Sequence, residues 1–269
     1  MSLKEIHTEA KRIIKNNFWK LFFIVLLNYL IVLAFTKVSD SFDTSVFTLI
    51  FAIVSYIITV PLSYGVIVSF MKSSREESIS VFDFISDGTK AFKRVWCVFG
   101  RTILKLVLPI IIFIIGFAVS FGLLAKGIYD SFAGQGTSTS ALLIASAVIL
   151  IATTIYYIVK AISYSLTNYI LYDNPELSAK EIVEESSIMM KGHVWSYILL
   201  MIYTIILYLV LMGACSLIMT LLQSISGVIL GMLLMIAGAV ILLPYSLGLQ
   251  IAFYNLLKGT DKTENEDKE

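Results

Sequence analysis

Three stretches of this chain share one plan, and each ends in an apolar run that a water-soluble fold cannot hide. Ser2-Leu3-Lys4-Glu5, Ser80-Val81-Phe82-Asp83 and Ser178-Ala179-Lys180-Glu181 each place a hydroxyl three residues ahead of a carboxylate, the form of a capping box that opens a helix. Each predicted helix reaches a lysine (Lys15, Lys93, Lys191) and then a tryptophan (Trp19, Trp96, Trp195), 17, 16 and 17 residues after its serine. Beyond each tryptophan the chain stays apolar for long enough to cross a bilayer and return. The expected fold is an all-α polytopic membrane protein: six transmembrane helices as three repeated hairpins, each preceded by a cytoplasmic amphipathic interfacial helix.

The spans are expected at 18–35, 46–70, 102–124, 141–171, 194–222 and 227–257, within repeats at 2–70, 80–171 and 178–257. Together they form one membrane domain over 1–258, with a disordered polar tail at 259–269 and a flexible outer loop at 134–140. Composition agrees. Hydrophobic residues make up 58% of the chain and charged ones 14%, against roughly 45–50% apolar in soluble domains. The net charge of +1 gives no basic patch for nucleic acid. The first apolar run lacks a small-x-small cleavage site and is expected to stay as the first span.

Lysine and arginine set the orientation. They gather before the first span (Lys4, Lys11, Arg12, Lys15, Lys20), after the second (Lys72, Arg75, Lys90, Lys93, Arg94, Arg101), after the fourth (Lys180, Lys191) and after the sixth (Lys258). The opposite side carries only Lys37 and Lys126. A bacterial plasma-membrane protein with both termini in the cytoplasm is expected. Cys97 and Cys215 would lie near opposite ends of the span thickness, roughly 30 Å apart at 1.5 Å per helical residue, too far for a disulfide.

A second element also recurs. Pro61-Leu62-Ser63-Tyr64-Gly65, Ala161-Ile162-Ser163-Tyr164-Ser165 and Pro244-Tyr245-Ser246-Leu247-Gly248 fall toward the cytoplasmic ends of spans 2, 4 and 6. Either these are packing nodes, where small residues and proline let helices approach, or they are breaks converging on a midplane site. The candidate substrate-binding set on the second reading is Lys160, Ser63, Tyr64, Ser163, Tyr164 and Ser246. Lys160 is singled out because a lysine about 16 Å inside a span is expensive. It either faces a polar cavity or snorkels.

The predicted short helices carry apolar faces (Leu3, Ile6, Ala10, Ile13 and Ile14; Val81, Phe84, Ile85 and Phe92; Ala179, Ile182, Met189 and Met190) that suit a membrane surface. Trp19, Trp96 and Trp195 are then interfacial anchors. The alternative is that these helices dock a partner. Asn28, Asn168, Gln250 and Asn255 are amides within the spans, able to bond between helices or to line a path. Gly227-x-x-x-Gly231 with Gly238 gives span 6 a close-packing face.

Catalytic patterns are missing. His7 and His193 lack zinc-protease spacing, no phosphate-cradling glycine loop is present, and all 19 carboxylates are expected outside the spans. No enzyme activity, metal or cofactor is expected, and a proton relay is disfavoured.

Asp173-Asn174-Pro175-Glu176-Leu177-Ser178-Ala179-Lys180-Glu181, succeeded by Met190-Lys191-Gly192-His193-x-Trp195, resembles the signature of a bacterial membrane family. Ala10-Lys11, Asn17-Phe18-Trp19-Lys20 and Pro61-x-Ser63-x-Gly65 are similar too. The family is catalogued as domain of unknown function 975 and related to the membrane domain of some glycerophosphodiester phosphodiesterases. The resemblance implies a six-span plasma-membrane protein without an agreed activity. Two functions fit: an accessory, immunity or envelope-homeostasis component that binds membrane lipids or a membrane protein complex, or a passive or partner-driven exporter of an amphiphilic peptide or lipid.

Overall fold

The computed structural model describes residues 2–41, 45–134, 139–222 and 224–266, which form ten helices and, among the described residues, no strand. They are α1 Leu3–Lys15, α2 Phe18–Asp40, α3 Ser45–Ser74, α4 Asp83–Lys90, α5 Phe92–Phe132, α6 Thr139–Ser163, α7 Thr167–Asp173, α8 Ala179–Met189, α9 Val194–Leu222 and α10 Ile225–Glu266. Six stretches are long and apolar enough to cross a membrane: Phe18–Ser39, Val46–Ser74, Phe92–Phe132, Ser140–Asp173, Val194–Leu222 and Ser226–Gly259. Each contains one of the predicted spans. Residues 135–138 of the predicted outer loop, and 267–269 of the polar tail, lie outside the described residues; the tail continues α10 as far as Glu266.

Three local expectations are corrected. The fourth span is not one helix, because α6 stops at Ser163 and α7 starts at Thr167. The third is longer than its apolar run, since its flanks at 92–101 and 125–132 contain no proline and continue the helix. Asp130 therefore belongs to α5, beyond the predicted span at 102–124, and it is buried. Third, the capping boxes at Ser2 and Ser178 are complete, but that at Ser80 is half formed. The Asp83 carboxylate accepts from the Ser80 amide, while the Asp83 amide goes to the Ser80 carbonyl instead of its hydroxyl.

By their contacts the residues gather into two compact units. The first holds Met1–Trp96, Asn168–Leu177 and Trp195–Glu269. Within it the apolar residues of α1 (Ile6, Ala10, Ile13 and Ile14) are buried, with α1 packed on α10 and α3. α4 packs on α3 in the same way, burying Phe84. Glycines make both contacts possible. A Cβ on Gly65 would overlap the Phe84 carbonyl, one on Gly88 would overlap the Pro61 carbonyl, and one on Gly248 would lie 2.7 Å from the Ile14 Cδ1. Much of the predicted interfacial face of α1 is thus covered by protein, with Leu3 exposed, whereas of the second predicted face only Phe84 is buried and Ile85 and Phe92 stay exposed. Gly231 and Gly238 meet Met219 and Leu211 of α9, so the small-residue face of the sixth span closes its hairpin.

The second unit holds Cys97–Thr167 and Ser178–Val194. Here α5 and α6 meet through Gly116 against Thr153 and through the Ser120 hydroxyl, which donates to the Ser146 carbonyl at 2.6 Å. α8 packs on α6 and explains the break after Ser163. The fully buried Ser186 hydroxyl donates to the Ser163 carbonyl (3.0 Å) and accepts from the Leu166 amide (3.2 Å). A side chain twenty residues downstream thus satisfies two backbone groups that an unbroken helix would pair internally.

Candidate functional site

In the first unit the ends of α3 and α7 meet Tyr254 and Lys258 of α10 at one carboxylate. α7 ends at Asp173 because Asn174 precedes Pro175, and the proline ring disfavours helical geometry in the residue before it. The Asp173 side chain is 2% exposed and takes ion pairs from Arg75 and Lys258, with the Tyr254 hydroxyl donating at 2.8 Å. Arg75 also lies over the Tyr172 ring, 4.8 Å from its centroid. The loop after Asp173 is held by Arg94, which donates to the Asn174 and Leu177 carbonyls at 3.4 and 3.1 Å.

A second charged group adjoins it. Arg12 on α1 forms a two-pronged pair with Glu9 (2.9 and 2.7 Å), donates to the Ser74 carbonyl (3.1 Å) and reaches Glu76 at 3.4 Å. Those Arg12 hydrogen bonds hold the Glu9 carboxyl below its usual range, and Asn255 adds to the effect. Glu76 sits at φ 61°, in the left-handed region. It closes α3 as a Schellman turn, with the Glu76 amide on the Ser73 carbonyl and the Glu77 amide on that of Lys72. Glycine usually fills that position; here a strained glutamate does, and its carboxylate engages Arg12. Ser73 joins α1 to α3 by donating to the Ile13 carbonyl (2.7 Å) and accepting from Asn17 (3.1 Å).

These groups line an open cavity of about 360 Å³, whose wall includes Glu9, Arg12, Arg75, Asp173, Asn255 and Lys258. Three cations face two carboxylates there. Such a wall suits a charged, hydrogen-bonding ligand bearing at least one negative charge. Among the described residues no group of His, Cys, Asp and Glu is placed to hold a metal.

The residues singled out from sequence lie elsewhere. Ser63, Tyr64 and Ser246 belong to the first unit, Lys160, Ser163 and Tyr164 to the second, and none lines the charged cavity. Tyr64 is buried and Ser63 exposed. The Ser163 and Ser246 hydroxyls donate to their own helix, to Val159 (2.8 Å) and Leu243 (2.9 Å). Lys160 is half-buried and forms no ion pair among the described residues. Tyr164 lines a separate pocket of about 250 Å³ in the second unit, with Lys105 and Glu184, which pair at 3.6 Å. Lys105 lies inside the predicted third span, so Lys160 is not alone in its position. Trp19 and Trp195 are exposed, whereas Trp96 is half-buried and its indole donates to the Ile57 carbonyl at 3.3 Å. His7 packs edge-on to Tyr203 and bonds the Tyr245 hydroxyl.

Sequence reasoning assigns no site role to Asp173 and reads Arg75 and Lys258 only as signals of topology, yet their register carries a signal. Arg75 lies fourteen residues after Pro61, and Lys258 the same distance after Pro244. Asp173 lies twelve after Ala161, the matching position of the middle element. Asp173 also begins the stretch that carries the family resemblance.

Ten helices, with six stretches of spanning length and composition, define a multi-pass membrane protein. The chain belongs to the family described as "Protein of unknown function (DUF975)", whose model matches residues 1–261. No curated protein and no solved structure matches the chain.

Proposed function

We propose that this protein is a non-enzymatic, binding component of the bacterial plasma membrane, acting in envelope homeostasis, immunity or as an accessory to another membrane complex. Both termini face the cytoplasm in this reading, as the distribution of lysine and arginine supports. The observation that carries it is the charged cavity around Asp173, to which three helical stretches of membrane-spanning length and composition contribute. A ligand or partner at the membrane surface would meet it there. The architecture proposed is three repeated hairpins, each led by a short helix. Its support is a contact made three times: α4 on α3 at Gly65, α8 on α6 at Ser163–Leu166, and α1 on α10 at Gly248. A relation to the membrane domain of glycerophosphodiester phosphodiesterases belongs to the same proposal.

A second reading, passive or partner-driven export of an amphiphile, is favoured by the break between α6 and α7, near Lys160. Crosslinking and affinity capture of the intact protein from its native membrane, with mass spectrometry of proteins and lipids, separates the two. A stoichiometric protein partner or a retained lipid is the expected result. Recovery of neither, together with transport activity lost in Lys160→Met at unchanged abundance, would replace binding with export.

A further inference from the structure

We infer that the cavity around Asp173 is a binding site for a phosphate group, either that of a phospholipid headgroup or free phosphate. The inference rests on the proposed binding role and names the ligand chemistry of that site. Asp173 is the first argument. One buried carboxylate holds both Arg75 and Lys258, whose side chains are 42% and 37% exposed, so it aligns two cations while neutralising one charge. Of the five N–H groups of Arg75, one bonds Asp173, and Lys258 spends one of its three there. The rest of their donors remain for a ligand among the described residues.

Arg12 is the second. Glu9 fixes its guanidinium by a two-pronged bond, which sets the plane of a third cation on the same wall. The lining holds three cations and two carboxylates, with Glu76 3.4 Å from Arg12, so a phosphate would be held by the unused donors of Arg75 and Lys258 rather than by an excess of charge. Depth is the third. Three helical stretches of membrane-spanning length and composition contribute to the cavity wall, through Ser74, Asp173 and Gly259, and charged residues gather there beyond the apolar runs. This is where the phosphates of a surrounding bilayer lie. A volume of about 360 Å³ falls within the range of roughly 300–1,000 Å³ for small-molecule sites. An apolar tail would run outward along the helices while the head stays among Arg12, Arg75 and Lys258.

The test uses the full chain purified in phosphate-free detergent, titrated separately with inorganic phosphate and with a short-chain, water-soluble phosphatidylglycerol. Affinity is read from the ligand-dependent rise in unfolding temperature. Arg75→Gln is expected to weaken binding roughly ten-fold, the value of one charge-assisted contact, while the exposed Lys37→Gln on α2 leaves it unchanged. Arg12→Gln serves in its place should Arg75→Gln not yield a monodisperse protein. Binding of both probes, weakened by either variant, assigns the site to the phosphate group itself. Binding of the lipid alone, weakened likewise, assigns it to a headgroup. No binding of either probe, or binding that neither variant weakens, overturns the inference. A lipid or partner captured from native membranes would then keep the binding role and move its site. Conversely, phosphate binding with nothing captured keeps this site and removes the broader role.

Discussion

Ser186→Ala is the sharpest perturbation the structure offers, because one hydroxyl serves two backbone groups across a helix break. The serine is fully buried, donates to the Ser163 carbonyl and accepts from the Leu166 amide; Leu166 is itself fully buried. Removing the hydroxyl deletes two hydrogen bonds, each worth about 1 kcal/mol net. It also leaves a buried donor and acceptor without water, which adds about 1–3 kcal/mol for a group that finds no substitute. The expected loss is about 2–4 kcal/mol of local stability. Since 1.4 kcal/mol is a factor of ten, opening of the 161–170 segment rises roughly 30- to 1,000-fold. Amide hydrogen exchange, read by mass spectrometry on peptides covering that segment, measures opening directly. Ser187→Ala, one residue on and only half-buried, is expected to change it little. Unchanged protection in Ser186→Ala would mean that α6 and α7 break for a reason other than Ser186, or heal into one helix when it is removed.

Five other contacts give predictions of their own. Gly65→Ala meets the Phe84 carbonyl, a backbone atom, and is expected to lose α4 packing at about 3 kcal/mol or more, whereas Gly248→Ala meets the flexible end of Ile14 and costs about 1 kcal/mol; the monodisperse fraction in detergent ranks them. Asp173→Asn removes the shared partner of Arg75 and Lys258 and is expected to lower stability by about 2 kcal/mol, partly offset because both cations can reach water; thermal unfolding reads it. Glu76→Gly relieves left-handed strain at the cost of one exposed ion pair and is expected to stabilise by about 0.5–1 kcal/mol; a lower unfolding temperature would refute it. Burial, with the charge of Lys11, pushes the His7 imidazole below its usual value of 6.5, between Tyr203 of α9 and Tyr245 of α10. The unfolded chain then binds the proton more readily, so this contribution to stability is present above pH 6.5 and lost as pH falls through the lower folded value. Unfolding temperatures across that window should show the dependence, and His7→Gln should flatten it.

The spans are legible in the sequence because apolar length against bilayer thickness needs no tertiary context. The capping boxes at Ser2 and Ser178 are equally local, each closed within four residues. What escapes is long-range. The break at 164–166 falls in the one recurring element without proline, so the residue that proline chemistry points to is the wrong one; Ser186, twenty residues on, makes it. Asp173 finds Arg75 and Lys258 across 98 and 85 residues. Reading Arg75 and Lys258 as signals of topology hides that they are also partners, since one charge can serve both ends. The buried apolar residues of α1 and α8 recur at helical spacing in the sequence. Periodicity, however, tells that a face is covered, and not whether lipid or protein covers it.

The seat of α1 on α10 has a consequence for biosynthesis. His7 and its partner Tyr245 stand 238 residues apart, so the earlier segment leaves the ribosome long before its seat exists. At about 5–20 residues per second the wait is roughly 10–50 s. Throughout it Ile6, Ala10, Ile13 and Ile14 have no α10 to cover them, and a nascent helix of this pattern partitions to the lipid surface. The amphipathic character of α1 is therefore a property its unfinished chain needs, and the completed fold consumes it. A ribosome stalled before Gly248 would hold α1 on the bilayer; release of the last helix would draw it off.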